Sequence, residues 1–531
     1  MKNISLLFLL LFSIETTSAQ RNIVLIIADD LGSNWCGFQE NSVDTVNMPN
    51  VRKLLSRGVR FSNAWANPVC SPTRAGILTG RYSFRTNVGN VVINAMQLDT
   101  AEITVPKLLK NANAPTKYAT ANVGKWHVSA PNSANYNNPS RMGYDYYAGV
   151  FTGQPVSTYT NWAKITNGVA SNSTNYLTTE TANDAINWLG QQGTKPFFLW
   201  LAFNSPHSPY HLPPDSLIIN RTLSGTTADI MANPRQYFKV MAEAMDNRLG
   251  KIVEWLEVNN KMDNTDIIFI GDNGNAGRTV QGTSTARAKS TVYQEGIHVP
   301  FIISGPSVIN QGRVSNALVN VQDLFATIVE LAGYTNWRTQ IPAAKPVDSK
   351  SLVPILKNTA PEVRPWAYSE IFDVSTTSQV NCRAIRNATY KLVSFDSSKV
   401  QEFYNLATDA NERTNLLARP LTAIELTNYT YLCTEMGTLL GRSICNPKVD
   451  TKDLSASAKP IVAPNPAKNL ISVAFSDALP FDFQISSIDG KLMKQGVSTK
   501  DINVSDLPNG FFLLKIQKQG AIFTEKIVVE K

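Results

Sequence analysis

Asn22-Ile23-Val24-Leu25-Ile26-Ile27-Ala28-Asp29-Asp30-Leu31-Gly32 decides the fold class of this chain. A run of branched apolar residues ends abruptly in two carboxylates and a glycine. With no polar alternation, such a run fits a strand buried on both faces, as in a parallel sheet covered by helices. The pattern recurs. Val59 to Ala66, Lys117 to Val123, Pro196 to Phe203, Asp266 to Gly271 and Val299 to Gly305 read as further strands. Between them lie helical patterns at Val51–Arg57, Val105–Asn111, Thr178–Gly190 and about Gln236–Asn259. This alternation predicts an α/β fold with a mostly parallel sheet flanked by helices.

In such sheets ligands collect beyond the carboxyl ends of the strands. Asp29-Asp30, Gly124-Lys125-Trp126-His127, Pro206-His207 and Asp272-Asn273 all fall there. The two Asp/Asn pairs form a hard oxygen set suited to Ca²⁺ or Mg²⁺ rather than zinc, and no C-x-x-C pair exists. Either pair alone reads as ordinary turn residues; two pairs ending two buried strands favour a metal. Histidine is scarce, at four residues (His127, His207, His211 and His298), so those at strand ends are candidates for acid and base chemistry.

Cys70-Ser71-Pro72-Thr73-Arg74 is followed by Ala75 to Thr79 and Gly80-Arg81. Pro72 is expected at the first position of a short helix, closed by Gly80. Cys70 would then sit at a helix mouth, where free amides and the dipole favour an anion. Arg74, Lys125 and Lys289 are cations able to neutralise a tetrahedral oxyanion. Lys289 lies in a Ser/Thr/Ala loop, where a lysine is usually just solvated. Cysteine phosphatases place five residues between cysteine and arginine; here there are three, one of them proline, which argues against thiolate chemistry.

The 531 residues carry a formal charge of +8, with 43% hydrophobic and 17% charged residues. This is a globular composition, long enough for more than one domain. A basic balance suits nucleic acid, an anionic membrane or a sulfated polysaccharide as partner, and equally a soluble protein with surplus surface lysine; the lack of a long Lys/Arg block speaks against nucleic acid. Met1-Lys2-Asn3, the apolar run Ile4–Ile14 and the small residues before Gln20 read as a secretory signal over 1–19. No later segment has the length and apolarity of a membrane span. Five cysteines (Cys36, Cys70, Cys382, Cys433 and Cys445) leave at least one unpaired in an exported chain. Cys433 and Cys445 are close enough in sequence to bridge, although spacing does not establish it.

C-S-P-T-R with L-T-G-R resembles the signature of the type I, formylglycine-dependent sulfatases of the alkaline-phosphatase-like superfamily. The likeness extends over Asp29-Asp30, Lys125 and His127, His207, Asp272-Asn273 and Lys289, hence over most of residues 21–445. Gln294-Glu295-Gly296 departs from the Glu-Gly-Gly of many relatives, and His298 stands where arginine is frequent. The resemblance implies that a formylglycine-generating or anaerobic sulfatase-maturing enzyme oxidises Cys70. It implies one Ca²⁺ held by Asp29, Asp30, residue 70, Asp272 and Asn273. One hydroxyl of the hydrated aldehyde then attacks sulfur while His207 protonates the departing alcohol. His127 next deprotonates the second hydroxyl, expelling sulfate and restoring the aldehyde. Arg74, Lys125 and Lys289 stabilise the charge throughout.

The tail resembles the C-terminal sorting domain of the type IX secretion system of Bacteroidetes-type bacteria. Ala463-Pro464-Asn465-Pro466-Ala467, Asp489-Gly490-Lys491, Leu507-Pro508-Asn509-Gly510 and Lys526-Ile527-Val528 carry that likeness. A carbohydrate-binding β-domain is the competing reading.

The expected layout is a signal peptide (1–19), a catalytic α/β domain (20–360), a smaller antiparallel subdomain (361–445), a linker (446–460) and an all-β tail (461–531). Residues 132–173 are expected to be loops over the site. The sequence therefore predicts a sulfatase, secreted or at the cell surface, acting on sulfated carbohydrate. A phosphonate monoester or phosphodiester hydrolase, and a glycan-binding protein with an inactive sulfatase domain, are the alternatives.

Overall fold

The computed structural model describes residues 20–38, 42, 44–93, 96–154, 158–219, 222–281, 284–373, 381–396, 400–445, 460–475, 480–487, 491–518 and 521–531. The expected signal peptide, all but residue 460 of the expected linker, and the Asp489-Gly490 turn lie outside these residues. The chain forms two compact units. One runs to Leu416 and takes in Ala423–Ile444; the other comprises Leu417–Thr422 and Cys445–Lys531.

The larger unit is organised around a ten-stranded sheet. In chain order its strands are β1 (Asn22–Ala28), β2 (Gly58–Trp65), β3 (Ala119–Gly124), β4 (Tyr146–Gly149), β5 (Trp162–Thr166), β6 (Val169–Ser173), β7 (Phe197–Ala202), β8 (Thr265–Gly271), β9 (Phe301–Ser304) and β10 (Arg313–Asn320). Their spatial order is β10-β2-β9-β8-β1-β7-β3-β4-β5-β6. The central block β8-β1-β7-β3 is parallel throughout, and β9 and the β5–β6 edge run antiparallel.

Residues expected to be loops over 132–173 thus contribute β4, β5 and β6. The polar, Asn/Ser-rich stretch around them hid the strands, most of all β6 at the sheet edge, because edge strands bury less and show little apolar pattern. In β6 only Ser173 is buried.

β1 shows why its sequence reads as it does. Ile23, Leu25 and Ile27 enter one core, with Leu324, Phe325 and Ile328 of helix Asp323–Leu331 and Ala75 and Ile77 of the cysteine helix. Val24, Ile26 and Ala28 enter the other, with Phe238, Met245 and Leu249 of helix Pro234–Val258 and Ala182 and Leu189 of helix Leu177–Gly190. Successive side chains point to opposite faces, so a strand covered on both sides must be apolar at every position. Fully burying each large aliphatic side chain is worth roughly 1.5–3 kcal/mol.

The same unit carries a four-stranded antiparallel sheet (Ala367–Ile371, Cys382–Arg386, Tyr390–Phe395 and Gln401–Asn405) with helix Ala423–Leu440. Cys36, Cys70 and Cys382 are free and buried, whereas Cys433 and Cys445 are disulfide-bonded. The tail unit is all-β, with a three-stranded and a four-stranded sheet. Alternate residues of Gly510–Lys518 are buried, and Ile471, Phe481, Ile485, Leu514 and Ile516 share its core.

His298 is buried, and its Nε2 donates to Ser62 O at 2.8 Å. Burial first, then the charges of Arg386, Arg60 and Lys391, hold its pKa down at about 4. The unfolded chain therefore binds a proton between about pH 6.5 and 4 that the folded chain refuses, so this contribution to stability is lost as pH falls through that window. Urea unfolding across that range should show a shallower loss of stability in His298→Gln than in the parent chain.

Candidate active site

Because β8, β1, β7 and β3 are adjacent and parallel, their carboxyl ends deliver four peptides to one edge of the sheet. Asp29-Asp30 follow β1, Asp272-Asn273 follow β8, Lys125 and His127 follow β3, and His207 follows β7. Strands lie about 4.8 Å apart, so these side chains must meet. The hand-over from β3 needs a glycine. Gly124 has φ +100°, and a Cβ there would stand 1.9 Å from Ala202 O. Two neighbouring site residues pay for odd backbone without that freedom: Asp30 has φ +64° and His127 φ +55°. Such conformations persist where surrounding contacts over-determine them.

Opposite this edge, Cys70 is the first residue of helix Cys70–Thr79, which Gly80 closes in the left-handed region. Pro72 is the third helical residue rather than the first. The chemistry that allows it is unchanged, since amides of the first turn have no partner within the helix. Every residue of this helix is buried. Arg74 donates to Asp272 Oδ2 from Nε (3.1 Å) and Nη2 (2.7 Å), and to Lys125 O from Nη1 (2.9 Å). Arg81, from the second half of the signature, is remote from this chemistry: it pairs with Glu102 and donates to Pro346 O, anchoring the chain after the helix.

Three carboxylates face three cations. Lys125 Nζ pairs with Asp29 Oδ2, Lys289 Nζ with Asp30 Oδ1, and Arg74 with Asp272. Burial pushes Asp29 up, but Lys125 and then His207 more than offset it, leaving this carboxyl below its usual range. Asp30 is likewise held low, with Lys289 and His207 outweighing burial. Asp272 goes the other way, raised by burial and by the neighbouring charge of Asp29. Asp272 stays raised although each carboxylate has a cation beside it, so further positive charge next to it would be favourable. Two further facts agree. Asp29 Oδ1 and Asn273 Oδ1 are buried without a hydrogen-bond partner, and ligand atoms of Asp29, Cys70 and Asp272 all lie within 4.8 Å of one another. Apart from the Cys70 sulfur the candidate ligands Asp29, Asp30, Asp272 and Asn273 offer oxygen, and such a set with orphaned acceptors fits a hard divalent cation.

Cys70 Sγ lies 3.1 Å from His127 Nδ1. Burial, only partly countered by Lys125 and Lys289, raises the thiol pKa, so this cysteine stays protonated. Burial and the charges of Lys125 and Arg74 hold His127 well below its normal pKa, hence neutral. His207 Nδ1 donates to Ser208 O at 2.7 Å, which leaves Nε2 facing Asp30 Oδ2 at 3.7 Å. A cleft of about 440 Å³ opens over Cys70, His127, His207 and Lys289, with Val91, Thr152, Gly153 and Gln154 as its other wall.

All the predicted site residues therefore converge. His211 and His298 do not join them: His211 Nε2 meets Tyr176 OH at 3.0 Å, and His298 bonds to backbone. Sequence reasoning missed Asn275, whose Oδ1 accepts from Gly32 N (2.8 Å) and whose Nδ2 donates to Glu295 Oε1 (2.7 Å), tying the peptide after β8 to the one after β1. It also missed the wall residues. Nothing in a neutral Thr-Gly-Gln marks it as part of a site.

Residues 21–334 match the Sulfatase family. The chain belongs to that family. Residues 285–429 match the N-sulphoglucosamine sulphohydrolase C-terminal domain, and 462–530 the secretion-system C-terminal sorting domain. The tail is thus a type IX sorting domain rather than a carbohydrate-binding module. Among sulfatase relatives, mouse arylsulfatase J is 27% identical over 361 residues, covering 61% of this chain and 56% of its own length. The ulvan-active sulfatase of Formosa agariphila is 25% identical over 428 residues, covering 75% of this chain and 77% of its own. In fold the chain is similar to Ps i-CgsB, solved with k-i-k-neocarrahexaose, with TM-score 0.64, 24% identity, and coverage of 79% and 92%.

Lys289 owes its place to the antiparallel sheet. Glu412, itself buried, accepts from Gln294 N at 2.6 Å and pairs with the buried Lys391, which also donates to Val292 O at 2.6 Å. Arg287 lies over the Tyr293 and Tyr404 rings and donates to the Glu412 carbonyl. Lys289 N then bonds Asn275 O at 2.8 Å, which brings its ammonium to Asp30. Glu412→Ala would strand a buried ammonium. Chemical denaturation should register a loss of about 3–5 kcal/mol, and Glu412→Gln should lose less.

Proposed function

We propose that this sulfatase-family chain hydrolyses sulfate esters of a carbohydrate, a sulfated polysaccharide or its oligosaccharides, through a formylglycine made from Cys70. The observation that carries this reading is the seat of Cys70. Its Sγ stands beside a neutral imidazole and among Asp29 and Asp272 ligand atoms, yet burial keeps the thiol protonated. A sulfur so placed is a poor nucleophile, whereas an oxygen made at the same carbon would meet a base and a cation site.

A divalent cation (Ca²⁺, as the family likeness implies) held by Asp29, Asp30, Asp272, Asn273 and the oxygen of residue 70 would lower the pKa of that oxygen and neutralise sulfate charge. The side chains account for the rest. Neutral His127, with Nδ1 3.1 Å from Sγ, is poised to take a proton from residue 70. His207, oriented by its bond to Ser208 O, presents Nε2 to the leaving oxygen as general acid. Arg74, Lys125 and Lys289 surround the transferred group with fixed positive charge in a water-poor setting, where it counts most. Three carboxylates already balance these three cations, so a bound dication leaves a positive surplus that an anionic ester complements.

Export follows from the sorting tail, and places the enzyme outside a Bacteroidetes-type cell, secreted or surface-held. Type IX machinery and a cysteine-oxidising maturase are its protein partners. The ulvan-active relative, matched over 75% of this chain, supports a polysaccharide origin for the substrate. We divide the chain at 19/20, 360/361, 445/446 and 460/461.

Protein from its native source should yield a residue-70 peptide with the mass of the aldehyde or its hydrate, and Cys70→Ser should lose turnover by several orders of magnitude. Only unmodified thiol in that peptide, or full activity in the serine variant, would overturn the mechanism. Rates on sulfate and phosphate esters of one leaving group should favour sulfate. A Cβ at Gly153 would press within 2.6 Å of His127 Cε1. Gly153→Ala should therefore cut kcat at least tenfold while the unfolding midpoint barely moves.

A further inference from the structure

The cleft has two unlike walls. Four lining residues, Cys70, His127, His207 and Lys289, make its reactive floor, and the other lining residues, Val91, Thr152, Gly153 and Gln154, make a second wall. With sulfate on the reactive floor, the alcohol it leaves with would have the second wall as its remaining neighbour among the described lining residues. That wall carries no ionisable group among the described residues. The sequence extends the point, with no Asp, Glu, Lys, Arg or His between Arg85 and Asp99 or between Asp145 and Lys164. Lys289, the one lysine at the cleft, is spent on Asp30.

What the wall does offer suits an uncharged, hydroxyl-rich ring. Val91 is 43% exposed and gives an apolar surface for a C–H face. Thr152 Oγ1 donates to Gln154 O at 2.6 Å, which keeps its hydroxyl oxygen as an acceptor and fixes the turn that presents Gln154. The Gln154 amide brings a donor and an acceptor, the pairing a vicinal diol needs. Gly153 sits against the His127 ring, so this wall stands at the reacting centre and not at a distant rim. A carboxylate brought here would lose water without gaining a cation, and a buried charge left unpaired is heavily penalised.

We infer that the leaving-group side of this site selects a neutral sulfated hexose and rejects a sulfated uronic acid. This rests on the sulfatase reading, and the experiment separates the two. Calorimetry on full-length Cys70→Ala protein, which cannot turn over, would compare a 6-O-sulfated galactose disaccharide with a 2-O-sulfated uronate disaccharide. The neutral sugar should bind at least tenfold tighter, and Gln154→Arg should shrink that ratio at least fivefold. Equal or tighter binding of the uronate, or a ratio untouched by Gln154→Arg, would overturn the inference. Turnover of 4-nitrophenyl sulfate by the matured parent enzyme reports separately on the sulfatase reading, whichever sugar binds.

Discussion

Three carboxylates packed against the carboxyl ends of two strands, with no solvent to screen them, are the constraint from which the rest follows. Asp29, Asp30 and Asp272 are all essentially buried. Desolvation alone would protonate them. Lys125 and Lys289 more than offset it at Asp29 and Asp30, and Arg74 offsets part of it at Asp272; each cation comes from a different part of the chain: the end of β3, the loop braced by the antiparallel sheet, and the cysteine helix. The ion pairs are weak evidence of stability, because the cost of burying charge offsets much of their attraction. Their value lies in position. They hold oxygen ligands ionised and cations fixed before any substrate arrives, so little reorganisation is left for the reaction itself.

This requirement explains where the backbone departs from comfortable geometry. Asp30 and His127 sit at positive φ, and Ser290, next to Lys289, does so too at +72°. None is a glycine. A charged or titrating side chain was needed at each place or beside it, so the strain is carried by the surrounding packing instead. The four-stranded sheet has the same logic. Its Glu412–Lys391 pair is distant from the chemistry, yet it sets the loop that carries Lys289.

Much of this was legible in the sequence, and the reason is physical. A strand buried on both faces has to be apolar at every step, so β1, β7 and β8 announce themselves, and the residues just past their ends locate the site. The cysteine helix is legible through Pro72 and Gly80, which few other local structures would accommodate together. β6 was illegible because it is an edge strand whose exposed residues obey no strong pattern, and β5 beside it buries only Trp162 and Ile165. Lys289 could be placed by family likeness alone. Of the bonds that fix it, the one through Glu412 joins residues more than a hundred positions apart, and composition of the local loop carries no trace of it. His298 shows the converse: a histidine looks functional in a list of four, but burial and a bond to Ser62 O make it part of the frame.

The neutral wall is the least legible part and follows from the same electrostatics. A floor that concentrates positive charge attracts any anion, so it cannot by itself tell a sulfate ester from a carboxylate. Discrimination has to come from the other side, and an uncharged surface supplies it by withholding compensation rather than by adding contacts. Val91 and Gln154 are unremarkable in sequence for that reason. Catalytic residues are charged, titratable or nucleophilic and so stand out; residues that exclude a charged competitor do so by having no charge.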